Sequence, residues 1–173
     1  MTETIEPSYL QPHWYAVYTR SRHEKTVAEQ LVQKGLDHFL PLYESVRKWK
    51  NGNFKVRLPL FPGYLFVHIP LQERLQVLQV PGVVQLVGSS GVPLALPQAE
   101  IETIRDALTK GLQAHPHPYL KVGSRVRISS GPLQGLQGIL LRKKGKVRLV
   151  VSVDLIMRSI AIDIDASEVE PTK

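Results

Sequence analysis

The 173-residue sequence has no cysteine, two methionines, and no apolar run long enough to cross a bilayer. The absence of cysteine excludes disulfides, thiolate metal sites and a cysteine nucleophile. The first residues include Glu3 and Glu6, where a secretory signal would carry basic side chains. We therefore expect a cytoplasmic protein that makes no use of a membrane.

Patterns typical of catalytic and metal sites are also missing. His23-Glu24 is not the start of an HExxH zinc motif, because Val27 stands where the second histidine would be. His115 and His117 lie two residues apart, but no further ligands follow at a useful spacing. The sequence contains no GxSxG, no Walker-type phosphate loop and no GxGxxG. We therefore predict a protein without catalytic residues, cofactor or metal.

The formal net charge of +7 and the pI of about 9.7 favour polyanionic partners such as nucleic acid. Solvated lysine and arginine faces would explain the same excess. Residues 14–111 hold 12 basic and 8 acidic side chains, and residues 120–173 hold 10 and 5. Both halves of the chain are thus basic, and neither is a charged tail.

A stretch without charge or periodicity, GLQAHPHPY at residues 111–119, divides the chain. Its two X-Pro steps favour extended backbone and a linker. We predict a flexible N-terminus over residues 1–13, a first domain over 14–111, a linker over 112–119 and a second domain over 120–173.

The first domain is predicted to alternate strands and helices in the order βαββαβα. Residues 14–19 favour a strand, and residues 22–34 favour a helix that Gly35 ends. Asn51-Gly52 favours a tight hairpin, and residues 64–69, apolar on both faces, favour a central buried strand. The apolar faces expected for the three helices consist of Val27, Ala28, Leu31 and Val32; of Leu71, Leu75 and Leu78; and of Ile101, Ile104 and Leu108. Such an order is typical of an antiparallel sheet with packed helices, and residues 39–46, 54–60 and 83–87 supply its other strands.

The second domain is predicted to be all-β. Short strands are expected at residues 125–128, 138–141, 147–153 and around Ile160, Ile162 and Ile164, separated by glycine and proline. About fifty residues with four or five strands favour a closed, SH3-like barrel, because closure leaves no open sheet edge. The fold class is therefore α+β.

Four segments occur in an order that resembles the NusG family. They are Trp14-Tyr15-Ala16-Val17-Tyr18, the run from Pro59 to Val67 containing Phe61-Pro62-Gly63-Tyr64, the step Pro81-Gly82-Val83-Val84, and the stretch from Gly123 to Gly138. The last segment resembles a KOW motif, and the resemblance extends from Trp14 to about Pro171.

The resemblance implies a non-enzymatic transcription elongation or antitermination factor that binds RNA polymerase through its first domain. It assigns the polymerase-facing surface to Trp14, Phe61, Pro62, Gly63, Tyr64 and Phe66. Aromatic anchors beside a fixed Pro-Gly turn lose little entropy on docking. A purely structural role in the core is the alternative, above all for Phe66, whereas we expect Phe61 and Tyr64 to be partly exposed.

Family members also place basic side chains against the non-template DNA strand. The residues that correspond here are Arg20, Arg22 and Lys25, and a second basic group around the hairpin includes Arg47 and Lys48 beside Trp49. Such clusters contact phosphates without choosing a sequence, and Trp49 offers a face for stacking. The alternatives are a solvated helix start and a charged hairpin that only keeps its edge soluble.

The partner-binding loop of the KOW domain resembles Leu155, Ile156, Met157 and Arg158. Many members have Ile-Phe-Gly-Arg there, so the aromatic residue and the glycine are replaced by Ile156 and Met157. The resemblance implies recruitment of a ribosomal protein or of the termination factor Rho by a monomer, and the departure suggests a specialised paralogue. A basic KOW-type RNA-binding or ribosome-associated module is the competing interpretation, but it leaves the first domain unexplained.

Overall fold

The computed structural model describes residues 9–120, 125–131, 134–135, 137–143 and 146–171. The α-helices are α1 (Glu24–Gln33), α2 (Arg74–Leu78) and α3 (Gln98–Thr109). The strands are β1 (Pro12–Thr19), β2 (His38–Phe39), β3 (Leu42–Trp49), β4 (Gly52–Pro59), β5 (Tyr64–Pro70), β6 (Val83–Leu86), β7 (Gly88–Ser89), β8 (Val92–Pro93), β9 (Ala114–His117), β10 (Arg125–Ile128), β11 (Gln137–Lys143), β12 (Lys146–Val153), β13 (Arg158–Ile164) and β14 (Val169–Pro171). Within these described ranges, no helix is long and apolar enough to span a membrane.

The chain forms two compact units, one of Met1–Leu40 with Pro62–Gln98 and one of Pro41–Phe61 with Ala99–Lys173. The first unit contains a four-stranded antiparallel sheet in the order β2-β5-β1-β6. Strand β5 lies inside this sheet, and Leu65, Phe66 and Val67 are buried in succession. Successive side chains point to opposite faces, so both faces of β5 are covered and the predicted central strand is confirmed.

Helices α1 and α2 pack on one face of this sheet. Their apolar side chains join those of the strands in one core that includes Val17, Val27, Leu31, Val67 and Val77. Val27 and Leu31 are four residues apart, which places them on one side of α1. Helix α1 ends as predicted, since Gly35 has φ +67°.

Two expected helix faces differ from the prediction. The periodicity predicts Val32 on the buried face of α1, but Val32 is exposed, because it lies about a quarter of a turn past Leu31. Leu75 and Leu78 are exposed as well, and Val77 is the buried residue of α2. The predicted periodicity is wrong there because a 3₁₀ turn precedes a helix of only five residues, which shifts the buried face.

The continuous strand predicted over residues 39–46 is interrupted. Strand β2 ends at Phe39, and β3 begins at Leu42 in another sheet, where it pairs with β4 as a two-stranded hairpin. Pro41, which has no N–H to donate to a ladder, lies at the break. The predicted hairpin is confirmed, although Lys50 and Asn51 form the turn and Gly52 pairs with Trp49.

The first sheet strand begins before the predicted start of the first domain. Strand β1 starts at Pro12, which pairs with Pro70, so the last two residues of the predicted flexible N-terminus belong to the sheet. Residues 1–8 lie outside the described part of the chain.

The second unit contains a six-stranded antiparallel sheet in the order β14-β10-β11-β12-β13-β9. Strands β10 to β13 match the four predicted for the C-terminal region, and Ile139, Val150 and Ala161 form a core cluster on them. The predicted α+β fold class is confirmed. Closure of this sheet into an SH3-like barrel stays a prediction, and Gly123, Ser124, Pro132, Leu133 and Leu136 of the KOW-like stretch lie outside the described residues.

The stretch predicted as a loose linker contains strand β9. It pairs with β13 from Ser159 opposite His117 to Ile162 opposite Ala114. The X-Pro steps do favour extended backbone, but here the extended segment is the edge strand of the sheet, a position in which proline is tolerated. The compact units likewise depart from the predicted boundary, since α3 and the β3–β4 hairpin cluster with the C-terminal sheet.

Candidate functional site

Two Pro-Gly steps, far apart in the sequence, meet at the end of β1. The backbone N–H of Thr19 donates to the carbonyl oxygen of Gly63 at 2.8 Å. The N–H of the next residue, Arg20, donates to the carbonyl oxygen of Gly82, also at 2.8 Å. The steps at residues 62–63 and 81–82 are therefore fixed to consecutive residues of one strand end.

Side chains from β1 and α1 hold both polar groups of Gly63. Its N–H donates to Oε1 of Glu24 at 2.7 Å, and its carbonyl oxygen also accepts from Oγ1 of Thr19 at 3.3 Å. Both Glu24 and Thr19 are buried. A bond from a neutral donor to a buried carboxylate is short and strong. Gly63 itself has φ +86°, so the turn is built around a residue without a side chain.

Gly82 allows its loop to approach the start of α1. A Cβ atom at this position would lie 3.1 Å from Cγ2 of Val27 and 3.2 Å from Cβ of His23. The backbone angle φ of +97° also disfavours any other residue. The beginning of α1 is thus packed against one Pro-Gly step and hydrogen-bonded to the other.

These turns present an aromatic surface, which we call the Tyr-Pro-Gly surface and define as Tyr18, Pro62, Gly63 and Tyr64. The rings of Tyr18 and Tyr64, opposite each other on β1 and β5, have centroids 5.3 Å apart. Tyr18 is 39% exposed, Pro62 is exposed, and Gly63 and Tyr64 are half-buried. Sequence reasoning missed Tyr18 as a member, and alternation along β1 gives no signal for it, because Trp14 and Ala16 on the same face of the strand are buried.

Three residues assigned to a partner-facing surface are buried. Trp14, Phe61 and Phe66 are 3%, 0% and 0% exposed, so the expectation that Phe61 is partly exposed is wrong. Trp14 stacks on His68 at 4.9 Å between centroids, and Phe66 stacks on Phe39 at 6.4 Å. Large aromatic rings gain most from leaving water, which explains their place in the core. Of the predicted surface residues, Pro62, Gly63 and Tyr64 are the ones that are at least partly exposed.

A group of cations follows directly on the chain from Tyr18. Arg20, Arg22 and Lys25 are all exposed, and none of them has an ion-pair partner in the described ranges. Arg22 has φ +63°, a left-handed conformation that a non-glycine residue rarely adopts. The structure therefore brings these three predicted residues together at the connection from β1 to α1, beside the Tyr-Pro-Gly surface.

The other two predicted nucleic-acid contacts lie on the β3–β4 hairpin, in the second unit. Arg47 and Lys48 are exposed there. As neighbours on one strand they point to opposite faces of the hairpin. The two basic groups are thus separate features of the molecule.

The loop predicted to bind a partner follows β12. Asp154–Ile156 forms a 3₁₀ turn, and Met157 ends it with φ +50° and ψ +49°. Met157 is 59% exposed and Arg158 is exposed, whereas Leu155 is half-buried. Ile156 is buried, so its predicted part in partner contact is wrong. It instead fills the core below the turn.

Asp154 at the start of this turn is the centre of a polar cluster. The hydroxyl of Tyr119 donates to its Oδ1 at 3.1 Å. Burial and, secondly, the negative charge of Asp154 raise the pKa of Glu100, in the first turn of α3, to about 7. Like charges and loss of water both disfavour the ionised carboxylate. The protonation of Glu100 at the start of α3 therefore depends on the charge of Asp154 in the loop after β12.

Comparison with known proteins agrees with this architecture. A family model described as the transcription termination factor NusG matches residues 12–105. The termination/antitermination protein NusG of Rickettsia prowazekii is 28% identical over 91% of this chain and 88% of its own length, and that of Borreliella burgdorferi is 28% identical over 91% and 97%. The solved structure of Thermotoga maritima NusG, described for its domain interaction, has the same fold, with a TM-score of 0.59 and 24% identity over 95% of this chain and 99% of that one. Because the family model covers more than half of the sequence, the chain belongs to the NusG family of transcription termination and antitermination factors.

Proposed function

We propose that this chain is a transcription elongation and antitermination factor that binds RNA polymerase through the Tyr-Pro-Gly surface. The observation that supports the proposal is the fixing of Gly63 between Thr19 and the buried Glu24. A turn held in this way presents Tyr18 and Tyr64 without a large entropic cost on docking. Partly exposed tyrosines of low conformational entropy are typical anchors of protein interfaces.

The factor acts by clamping, and the polymerase performs the chemistry. Binding across the polymerase cleft is stronger when the clamp is closed, and this difference in affinity shifts the population toward the closed state. Pausing and termination are modulated as a result. The exposed Arg20, Arg22 and Lys25 contact phosphates of the non-template DNA strand, which adds affinity without sequence choice.

The C-terminal sheet, as a KOW domain, recruits a second partner through the loop after β12. Met157 and Arg158 form its exposed contact, with a ribosomal protein or Rho as the partner. Because a strained, exposed methionine replaces the glycine common in the family, the preference of this loop differs from that of the general factor. The factor works as a monomer in the cytoplasm.

Capture of the chain by immobilised core RNA polymerase tests the polymerase contact. We expect Tyr18→Ala and Tyr64→Ala each to weaken binding about tenfold or more, because aromatic anchors contribute about 2 kcal/mol when truncated. Tyr9→Ala is the matched control, since Tyr9 is an exposed tyrosine of the same unit outside the surface. If both surface variants bind as tightly as the control, the assigned surface is wrong.

A further inference from the structure

The β3–β4 hairpin has two chemically different faces. Arg47 pairs with Phe54 and Trp49 pairs with Gly52, so these side chains point to one face. Val46 pairs with Lys55 and Lys48 with Asn53, on the opposite face. Since side chains alternate along a strand, the aromatic residues of the hairpin end lie together and away from Val46.

Both rings on this aromatic face are exposed to solvent. Trp49 is 73% exposed and Phe54 is 51% exposed. Neither ring stacks on another aromatic ring among the residues that the structure describes. Large aromatic side chains are usually buried or placed at a binding site, so two of them in water on one small hairpin indicate a contact surface.

The two rings border an open slot. Gly52 lies opposite Trp49, and a Cβ atom on Gly52 would meet nothing within 4 Å. Phe54 is the diagonal neighbour of Trp49, and such neighbours are about 7–8 Å apart. Bases in a stack are separated by about 3.4 Å. The spacing of these two strand positions is close to two stacking distances and so suits one flat ring between two others. A shallow cavity there is lined by Lys48, Trp49, Lys50, Asn51 and Phe54.

The hairpin is also strongly basic. Over residues 42–59 it has five basic side chains and one acidic side chain. Lys55 forms an ion pair with Glu44 at 3.6 Å, whereas Arg47, Lys48, Lys50 and Arg57 have no acidic partner within the described ranges. The aromatic slot suits a ligand with flat rings, and the unpaired basic side chains around it suit a ligand with regularly spaced negative charges.

We propose that this hairpin binds single-stranded nucleic acid, with one base stacked between Trp49 and Phe54 and the flanking phosphates on Arg47 and Lys50. A duplex does not fit the slot, because its bases are stacked on one another and their faces are closed. An acidic protein surface would pair with the cations but would leave the slot empty. The inference rests on the proposed function and adds to its nucleic-acid contact at Arg20, Arg22 and Lys25 a second contact, made by stacking on the hairpin.

Intrinsic fluorescence and oligonucleotide binding test this site in the full chain. The protein has two tryptophans, and Trp14 is buried, so emission from the exposed Trp49 reports on the hairpin. We expect a dT12 or rU12 oligonucleotide to quench this emission saturably and heparin, which has charge but no bases, not to quench it. With a dye-labelled dT12, Trp49→Ala and Phe54→Ala should each raise Kd between about 5-fold and about 150-fold.

Val46→Ala is the matched control, because Val46 is an exposed apolar residue on the opposite face of the same strand. It should leave Kd for dT12 unchanged, and capture by core polymerase is measured on the same variants. Loss of dT12 binding with retained capture supports the hairpin site. Equal dT12 binding by the Trp49 and Val46 variants would overturn it. Absence of dT12 binding by the wild type, with capture lost in Trp49→Ala, would identify a protein partner instead and leave the proposed function standing.

Discussion

The hydrogen bond from Gly63 to Glu24 is the contact whose removal we expect to have the largest effect. In Glu24→Ala the N–H of the half-buried Gly63 loses its acceptor at 2.7 Å, a carboxylate that is itself only 6% exposed. A hydrogen bond to a charged group contributes about 1.5–3 kcal/mol to stability. Removing an acidic group from the first turn of α1 costs about 0.3–1 kcal/mol more.

The free energy of unfolding should therefore fall by about 2–3 kcal/mol. For a chain of this length, such a loss lowers Tm by about 4–10 °C, which circular dichroism melts resolve easily. Glu29→Ala is the control, because Glu29 is an exposed glutamate on the same helix, and its change should stay within about 0.5 kcal/mol. Helix propensity changes equally in both variants and cancels in the comparison.

Glu24→Ala should also weaken capture by core polymerase, although the side chain is buried and touches no partner. The reason is that Gly63 then samples other conformations and the Tyr-Pro-Gly surface is no longer held in place. Glu24→Gln keeps an Oε1 acceptor and should show a smaller loss of both stability and capture. If Glu24→Ala and Glu29→Ala melt at the same temperature, the reasoning about the turn is refuted.

Two further predictions concern the C-terminal unit. Met157→Gly should stabilise the protein by about 0.5–1 kcal/mol. The substitution removes about 1–2 kcal/mol of left-handed strain at φ +50° and adds a smaller entropic cost of ordering the more flexible glycine. Urea unfolding measures the change, and equal stabilisation by Met157→Ala, which keeps the strain, would contradict the prediction. The wild-type free energy of unfolding should fall as pH rises from 4.5 to about 7, because the raised pKa of Glu100 means that the folded protein binds this proton more tightly than the unfolded chain. The pKa shift of Glu100 sets an upper limit of about 3 kcal/mol on this loss of unfolding free energy. Because Glu100 is partly exposed, we expect a loss of about 1 kcal/mol. Urea unfolding at pH 5 and pH 8 should show this loss in the wild type, and the same loss in Glu100→Gln would rule out Glu100 as its source.

Local patterns in the sequence predicted those elements whose cause is local. Residues 64–69 have apolar side chains on both faces, and β5 is indeed an inner strand. Asn51-Gly52 marks a hairpin, and the glycine-separated β-branched segments after residue 124 mark strands. In each case the turn chemistry and the side-chain period lie within a few residues of each other.

The site was harder to predict because it depends on contacts between distant residues. An apolar run does not reveal which of its rings face a partner, and Phe61 and Phe66 proved to be core while Tyr18 is exposed. Glu24 looked like an ordinary acidic residue at a helix start, and nothing local reveals that it accepts a bond from a glycine 39 positions away. Pairing of β9 with β13 is equally long-range and leaves no periodic signal.

The edge position of β9 has a practical consequence for dividing this protein. A C-terminal fragment that begins at Leu120 would lack β9 and leave the backbone groups of Ser159–Ile162 on β13 unpaired. Such an open row of donors and acceptors invites a second molecule to add a strand. A fragment that starts a few residues earlier, ahead of Ala114, retains its own border strand and should remain dispersed where the shorter one self-associates.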